Sequence, residues 1–497
     1  MMRAMAYPVV KLASEMPPMM PMTSTTSTTS TTSTTSMTNA LKSIAVEAIK
    51  PTAIAVFCLF FTVFQSPVSA AIPIEHWTQP SGARVYLVAS PTIAMLDVQI
   101  DVDGGSRRDP ADKAGLASVM AGMIEKGLLA RQGAPALDEN ALSEAWADLG
   151  AQFGAAAGPD VLSFSLRSLT EPDLLSKAVA LAAREIAEPA FADAVWQRER
   201  QRLVAALKES DTRPGSVASR AYAKAVYGAH PYGYETTALT LAAMSVADMR
   251  AAHATAVVAC RARVTLVGAV TRAQADAIAL QLLARLPAEP CTGLVPLPVI
   301  AAVAPLAAPS EQHIAFDAAQ AQLLVGQPGF ARDDPDFFAL TVGNYILGGG
   351  GFVSRLTTEV REKRGLTYGV SSAFSPRRQA GSFTISLQTR PDQASLALAL
   401  VRQVVRDFVA LGPSQAELKA AKDNLIGGFA LLIDSNRKLL GNVASIAWND
   451  LPLNYLDTWT TQINRVTAAE IQAAFTRKLQ PEKMVTVVLG AKTPTSE

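Results

Sequence analysis

The stretch "SVADMRAAH" (residues 245–253) recurs in altered form as "TAAEIQAAF" (residues 467–475). Each copy opens with Ser/Thr-x-x-Asp/Glu, whose hydroxyl and carboxylate cap the free N–H groups at a helix start. A β-rich run ending in glycine follows each copy at the same offset, "RVTLVG" and then "MVTVVLG". A third pair, "FSLRSLTEPD" (residues 164–173) and "ISLQTRPD" (residues 385–392), has nearly the same offset. The sequence therefore predicts two duplicated domains.

Each half combines strand patterns that have one polar face with apolar helical stretches, which predicts an α+β fold. The stretch "LDVQIDVDGG" alternates apolar and polar residues, as is typical of a strand in a sheet with one solvated face. We expect Asp97, Gln99, Asp101 and Asp103 to lie on that solvated face. Helical stretches with one apolar side are expected to cover the other face. The fold class is therefore two domains, each a mainly antiparallel sheet packed by helices.

Length and composition set the domain boundaries. The chain has 497 residues, 49% of them hydrophobic, which is enough for two or three domains. Its formal net charge of +1 gives no electrostatic basis for binding nucleic acid. The repeated prolines of residues 286–310 predict an extended linker. We expect an N-terminal domain over residues 71–285 and a C-terminal domain over residues 311–497.

Residues 1–70 combine a low-complexity tract with a targeting signal. Residues 23–36 are all Ser or Thr and have no side chains able to build a core. The apolar run "TAIAVFCLFFTVF" (residues 52–64) then precedes small residues that end at Ala70. This arrangement predicts a secretory signal cleaved after Ala70 and not a stable membrane span, since the run is short. The chain is therefore expected to be exported, to the periplasm.

The three cysteines are Cys58, Cys260 and Cys291. Cys58 is expected to leave with the signal. An exported compartment permits a disulfide between the other two. Because the sequence does not give their distance, we expect Cys260 and Cys291 to be unpaired thiols.

The stretch "GLASVMAGM" (residues 115–123) predicts an amphipathic helix with an unusual second face. Its buried stripe follows helical spacing and consists of Leu116, Val119, Met120, Met123 and Ile124. Ser118, Ala121 and Gly122 are assigned to the other face, where three small residues have the spacing of a metal-binding motif.

Three segments in this order resemble the pitrilysin/insulinase family of zinc peptidases, which includes mitochondrial processing peptidase. They are "DVDGGSRRDPADKAGLASVMAGMIEKG" (residues 101–127), "HPYG" (residues 230–233) and "NYILGGGGFVSRLTTEVREKRGLTYGV" (residues 344–370). The resemblance covers nearly all of the exported chain, and the third segment is its most specific part. It implies that the two domains form half of a four-domain, clamshell-like enclosure.

The resemblance also implies that the zinc site is lost. Active members carry His-x-x-Glu-His on this helix, and the two histidines fall on Ser118 and Gly122 and the glutamate on Ala121. Zinc in a protein is held by imidazole, thiolate or carboxylate groups, and none of these three side chains supplies one. We therefore expect no metal in this chain and zinc in a partner subunit.

A further glutamate ligand of active members aligns with "RERQRLVAALKES" (residues 198–210), near Ala206, with Glu199 and Glu209 as other possible registers. The chain has only four histidines, and no two of them have the spacing to bind one metal from one helical turn; they are His76, His230, His253 and His313. His230 in "HPYG" is expected to be a structural loop histidine, while a metal site rebuilt from distant residues stays an alternative.

Arg361 and Tyr368 match an arginine and a tyrosine, seven residues apart, that reach the cleft in active relatives. The resemblance implies that they bind substrate and help to stabilise the tetrahedral intermediate. A guanidinium and a phenol are suitable donors for that task. Alternatively, Arg361 complements a helix C-terminus and Tyr368 packs in a half-buried strand, predicted over residues 366–374.

Four consecutive glycines precede this pair, namely Gly348, Gly349, Gly350 and Gly351. Such a run lets the backbone turn sharply or approach a ligand closely, or it ends the helix predicted over residues 336–347. No Gly-Lys-Ser/Thr follows, which excludes the usual phosphate loop. The non-catalytic subunit of mitochondrial processing peptidase has a glycine-rich loop near this point for substrate binding, and the resemblance assigns these glycines the same role.

Three functions are compatible with the sequence. The chain is expected to be a non-catalytic, substrate-binding subunit of an exported heterodimeric zinc peptidase, whose homologous partner carries His-x-x-Glu-His. The alternatives are a structural scaffold of the same fold and a peptidase with an atypical metal site. Retention of Arg361 and Tyr368 favours the first, because a scaffold has no chemical need for the pair.

Overall fold

The computed structural model of the protein describes residues 72–131, 133–287 and 291–490, all within one compact unit of the chain, Ser69–Glu497. The strands are β1 (Glu75–Thr78), β2 (Arg84–Ala89), β3 (Met95–Val102), β4 (Gly127–Leu128), β5 (Leu137–Asp138), β6 (Gln152–Ala157), β7 (Leu162–Leu169), β8 (Arg263–Gly268), β9 (Ser310–Ile314), β10 (Ala321–Pro328), β11 (Val370–Ser375), β12 (Ser382–Thr389) and β13 (Val485–Leu489).

The helices are α1 (Leu116–Ile124), α2 (Glu139–Asp148), α3 (Pro172–Ala187), α4 (Asp193–Ser210), α5 (Pro214–Tyr227), α6 (Ala238–Ala243), α7 (Val246–Ala256), α8 (Arg272–Leu283), α9 (Phe337–Asn344), α10 (Ala394–Leu411), α11 (Gln415–Gly428), α12 (Asn436–Trp448), α13 (Tyr455–Arg465) and α14 (Ala468–Lys478). Among the described residues, no helix has the length and apolar character needed to cross a membrane. The low-complexity tract and the signal predicted for residues 1–70 lie outside the described residues.

Two sheets with corresponding strand orders form the two halves of the molecule. The N-terminal sheet has the order β1-β2-β8-β3-β7-β6, and the C-terminal sheet the order β9-β13-β10-β12-β11. In each sheet one pair is parallel, β2 with β8 and β9 with β13, and the other pairs are antiparallel. Both predicted capping boxes are present, at the starts of α7 and α14. The predicted α+β fold with duplicated, helix-packed sheets is therefore confirmed.

One helix from each half of the chain packs on the sheet of the other half. Helix α5 follows the N-terminal sheet in sequence but packs on β10 and β13, where the Tyr222 hydroxyl donates to the Phe383 carbonyl at 2.8 Å. Helix α12 belongs to the C-terminal half and packs on β2, β3 and β8, with Val443 fully buried. The starts of the two helices have the same offset as the two capping boxes. Because of this reciprocal exchange, the domain boundaries drawn along the sequence stay a prediction.

Helix α12 also overturns the prediction of a solvated face on β3. Asp97 and Asp101 are only 4% and 2% exposed, because α12 covers this side of the sheet. Asp97 forms an ion pair with Arg167 at 2.6 Å. Asp101 accepts hydrogen bonds from Ser163 and Gln99, and burial raises its pKa. The polar face of β3 therefore contacts helix α12 and is not exposed to water.

The linker returns to the N-terminal half after α8. Cys260 and Cys291 form a disulfide with a Cα–Cα distance of 5.6 Å, so the prediction of unpaired thiols is wrong. The start of the linker is thereby tied to the chain segment that follows α7. Farther along, Arg108 donates to the Pro298 carbonyl at 2.9 Å. The linker is thus held on the surface of the N-terminal half.

His230 has the structural role predicted for it. Its Nδ1 accepts the backbone N–H of Tyr232 at 3.1 Å. With Nδ1 accepting, Nε2–H is the donor, and it lies 3.1 Å from the Ala301 carbonyl and 2.9 Å from Oε1 of Gln379. The ring thereby joins the N-terminal half, the linker and the β11–β12 hairpin loop.

Candidate functional site

Helix α1 carries the positions at which the zinc motif would fall. All five apolar residues of the predicted stripe are buried. Ser118 and Gly122 are exposed, as expected. Ala121 is only 2% exposed and belongs to the hydrophobic core, so the prediction that it shares a face with Ser118 and Gly122, apart from the buried stripe, is wrong. Asp109 fixes the start of the helix by accepting two backbone N–H groups, and burial raises its pKa to about 6.

The side chains present do not fit a zinc ion. Ser118 offers a hydroxyl, Ala121 a methyl group and Gly122 no side chain, so α1 supplies no imidazole, thiolate or carboxylate. Throughout the described ranges, no group of three or more His, Cys, Asp or Glu side chains is placed to hold a metal ion.

Helix α4 carries the three positions considered for the lost third ligand. Ala206 and Glu209 are exposed, whereas Glu199 is 8% exposed. The Glu199 carboxylate accepts a hydrogen bond from Arg202 at 2.7 Å and lies 3.5 Å from Arg198. The carboxylate that faces the interior is therefore neutralised by guanidinium groups. The assignment of Ala206 to the ligand position stays a prediction.

Arg361 lies in the π-helical segment Thr357–Glu362, close to two other cations. Lys363 and Arg364 both pair with Glu359, at 2.7 and 2.8 Å. Arg364 also donates to the Glu359 carbonyl at 3.0 Å, and so it supplies the helix-end charge that was the alternative role for Arg361. Among the described residues, Arg361 has no acidic partner within ion-pair distance. Its charge therefore stays available in the folded chain.

The Arg361 guanidinium instead lies over an aromatic ring. Its central carbon lies 4.5 Å from the centre of the Phe352 ring. The Phe352 side chain is 67% exposed, so this ring is not a core residue. The arrangement is a cation–π contact at the surface.

The glycine run forms a close-packed turn that follows α9. The helix continues as the π-helical turn Tyr345–Gly349. A Cβ atom at Gly348 would lie 2.5 Å from the backbone nitrogen of Ser372 on β11, which leaves no room for a side chain. Gly351 has φ +60°, a conformation that favours glycine. A substrate-binding role stays a prediction for all four glycines, Gly348, Gly349, Gly350 and Gly351.

Tyr368 projects from a turn before β11. Strand β11 begins at Val370 and not at residue 366 as predicted, because the Thr367 hydroxyl donates to the Gly369 and Gln388 carbonyls and holds a turn. Tyr368 is 86% exposed, which excludes the half-buried packing role. It lines a groove of about 490 Å³ between α5 and the C-terminal sheet, whose lining residues are all uncharged.

Comparison with known proteins agrees with this arrangement. Residues 84–238 match the sequence model described as Insulinase (Peptidase family M16), and residues 243–425 match the one described as Peptidase M16 inactive domain. The crystal structure of a peptidase M16 inactive domain from Pseudomonas fluorescens is 34% identical, with a TM-score of 0.79 over 85% of this chain and 99% of that one. The chain belongs to peptidase family M16.

Relatives of this M16 chain include proteins with and without a peptidase name. The non-peptidase homolog YmxG of Helicobacter pylori is 31% identical over 163 residues, which are 33% of this chain and 38% of that protein. An uncharacterized zinc protease of Mycobacterium tuberculosis is 24% identical over 85% of this chain and 94% of its own length. The periplasmic protease PqqL of Escherichia coli shares the fold, with a TM-score of 0.70 and 18% identity, and this chain covers 51% of it.

The predicted resemblance is therefore confirmed, and this M16 chain is a non-catalytic relative of the family's peptidases. Sequence reasoning missed one residue of the candidate site, Phe352. Its only signal was an apolar residue directly after four glycines. An exposed aromatic residue and a core aromatic residue look the same in a single sequence, so the contact with Arg361 required the structure.

Proposed function

We propose that this M16 chain is the non-catalytic, substrate-binding subunit of an exported heterodimeric zinc metallopeptidase. Arg361 and Tyr368 contribute to the active site of the partner, a homologous subunit that carries His-x-x-Glu-His and the zinc ion. The observation that carries the proposal is the unpaired charge of Arg361. Its guanidinium is partly exposed and has no acidic partner in the described part of the chain, whereas Glu359 neutralises the neighbouring Lys363 and Arg364.

Arg361 is assigned to substrate binding. A guanidinium holds its positive charge at all physiological pH values and offers five N–H donors in a planar fork. Peptide carbonyl groups and carboxylates are the acceptors that match this fork. Lys363 and Arg364 are less suited to the task, since Glu359 already engages both of them.

Tyr368 is assigned to the developing charge of the transition state. Its side chain is 86% exposed at the edge of the groove beside α5. A phenolic hydroxyl is a suitable hydrogen-bond donor to an oxyanion. The uncharged lining of the groove, with Ser371 and Ser386 among its polar groups, suits an extended peptide segment.

The need for a partner follows from what α1 lacks. Ser118, Ala121 and Gly122 supply neither a metal ligand nor a general base. The PqqL protease shares the fold, and 90% of this chain covers only 51% of it. A second subunit of the same fold would bring the missing half together with the metal.

Export to the periplasm is supported by the disulfide between Cys260 and Cys291. Disulfides form and persist in oxidising compartments such as the periplasm and are rare in the cytosol. The relative of the same fold in Escherichia coli is itself named a periplasmic protease.

The experiment is steady-state peptide cleavage by a heterodimer reconstituted with the homologous subunit that carries His-x-x-Glu-His. Tyr368→Phe is expected to leave assembly intact and to lower kcat, because loss of one oxyanion donor typically costs about 10²- to 10³-fold in rate. Arg361→Gln is expected to raise KM, since it removes the charge that orients the peptide. Zinc content and subunit ratio are measured for every variant.

Two variants serve as matched controls. Arg364→Gln removes a neighbouring guanidinium that Glu359 already engages. Tyr234→Phe removes the hydroxyl of a partly buried tyrosine that is distant from Tyr368 in the sequence. Both are expected to retain wild-type kinetics. If Tyr368→Phe and Arg361→Gln also retain wild-type kinetics in a correctly assembled complex, the chain is a scaffold and the proposal is wrong.

A further inference from the structure

The contact between Arg361 and Phe352 joins a guanidinium that has no acidic partner in the described ranges to an exposed ring. A cationic side chain near acidic side chains normally pairs with one of them, as Lys363 and Arg364 pair with Glu359. Arg361 instead places its central carbon 4.5 Å from the Phe352 ring centre. The ring itself is 67% exposed and gains little from burial. The contact therefore needs an explanation other than core packing.

The backbone under Phe352 is held firmly. Ser354 is fully buried, and its hydroxyl donates to the Gly351 carbonyl at 2.8 Å across the turn that contains Phe352. Before the turn, the Gly350 N–H donates to the Tyr345 carbonyl at 2.8 Å. The closely packed Gly348 anchors the same segment against β11. The glycine run thus presents Phe352 at a fixed position.

A ring face and a carboxylate hold a guanidinium in different ways. A carboxylate binds the N–H groups at the rim of the guanidinium plane and so occupies the donors that a ligand needs. An aromatic face stacks on the plane and leaves those N–H groups free. Phe352 can therefore fix the direction of the Arg361 side chain without competing for its donors.

We propose that Phe352 is a positioning residue, which holds the Arg361 guanidinium with its N–H donors free to bind a carboxylate of a peptide. The inference rests on the proposed function for the role of Arg361 in the complex. It also makes a claim about the isolated chain, where Arg361 should already bind a carboxylate better with the ring than without it.

The test compares Phe352→Leu with three reference proteins: the parent chain, Phe352→Tyr and Val353→Ala. Phe352→Tyr keeps an aromatic face, and Val353→Ala truncates the neighbouring side chain, which is 69% exposed. The first measurement uses the isolated chain. The Arg361 Nε–H signal is followed by NMR and titrated with acetyl-glycylglycine, a small peptide with a free carboxylate.

In the parent, in Phe352→Tyr and in Val353→Ala, the Arg361 signal is expected to show a ring-current shift, and the carboxylate affinity should be the same in all three. In Phe352→Leu the shift should vanish and the affinity should fall about two- to fivefold, the range for an exposed cation–π contact. In the reconstituted complex the same variant should raise KM by a similar factor and leave kcat unchanged.

The outcomes separate the two proposals. If Phe352→Leu leaves the Arg361 signal and the carboxylate affinity unchanged, or if Val353→Ala weakens binding equally, the positioning role is wrong. If the isolated chain behaves as expected but the assembled complex keeps wild-type kinetics after Arg361→Gln, the positioning role stands and the proposed function fails.

Discussion

Replacing Glu185 by glutamine should change how the stability of the protein depends on pH. Glu185 lies on α3, is 1% exposed and accepts the Trp146 indole N–H at 2.9 Å. Burial, with a smaller contribution from the charge of Glu125, raises the pKa of Glu185 from its ordinary value of 4.5 to about 8. The folded protein therefore keeps this proton over a pH range in which the unfolded chain has released it.

The sign follows from proton binding. Above pH 4.5 the unfolded state binds fewer protons at this site than the folded state, so the free energy of unfolding falls as pH rises and levels off near pH 8. At pH 7 the free energy of unfolding has fallen by roughly 3 kcal/mol, because only the folded state keeps the proton over the interval from pH 4.5 to pH 7. Glutamine carries no charge and its amide oxygen can still accept the indole N–H. Glu185→Gln should therefore be more stable than the parent by up to that amount at pH 7.

The assay is urea unfolding followed by circular dichroism between pH 5 and pH 8.5. The gain from Glu185→Gln should be small at pH 5 and should grow as pH rises. Glu144→Gln, at an exposed position on α2, is the matched control and should leave the pH dependence unchanged. Parallel pH profiles for Glu185→Gln and the parent would refute the reasoning, because they would show that Glu185 titrates alike in both states.

Two further changes test the linker and the exchanged helix. The double variant Cys260→Ser, Cys291→Ser should lower the free energy of unfolding by about 3 to 4 kcal/mol, the value for a disulfide between cysteines 31 positions apart. Added reductant should destabilise the parent but not the variant. Equal stability of the two proteins without reductant would contradict this prediction. Val443→Ala on α12 should cost about 2 kcal/mol and lower the unfolding midpoint in one cooperative transition, whereas the exposed Arg437→Ala should have little effect. Separate transitions for the two halves would show that α12 does not couple them.

The sequence predicted the elements whose signals are local. Capping boxes, apolar stripes and the glycine that follows a strand depend on neighbouring residues, and the α7 and α14 starts and the α1 stripe were found where expected. The duplicated fold followed from the common offset of these signals. Arg361 and Tyr368 were selected by their spacing, which the resemblance supplied.

Features that depend on distant contacts were not predictable in this way. The burial of Asp101 depends on α12, which belongs to the other half of the chain and comes much later in the sequence. The pairing of Cys260 with Cys291 depends on the path of the linker, which proline content does not specify. The contact between Phe352 and Arg361 depends on the shape of a turn that four glycines permit but do not determine.

The reciprocal exchange of α5 and α12 has a consequence for how such a chain can be built. Each sheet is covered by the helix that the other repeat supplies, and the two helices occupy equivalent places in the two repeats. This connectivity is that of a domain-swapped dimer whose two copies have been joined in tandem by the linker. A single repeat cut out of the chain would carry a helix shaped for another sheet and a sheet lacking its helix. It would therefore need a second repeat to complete its fold.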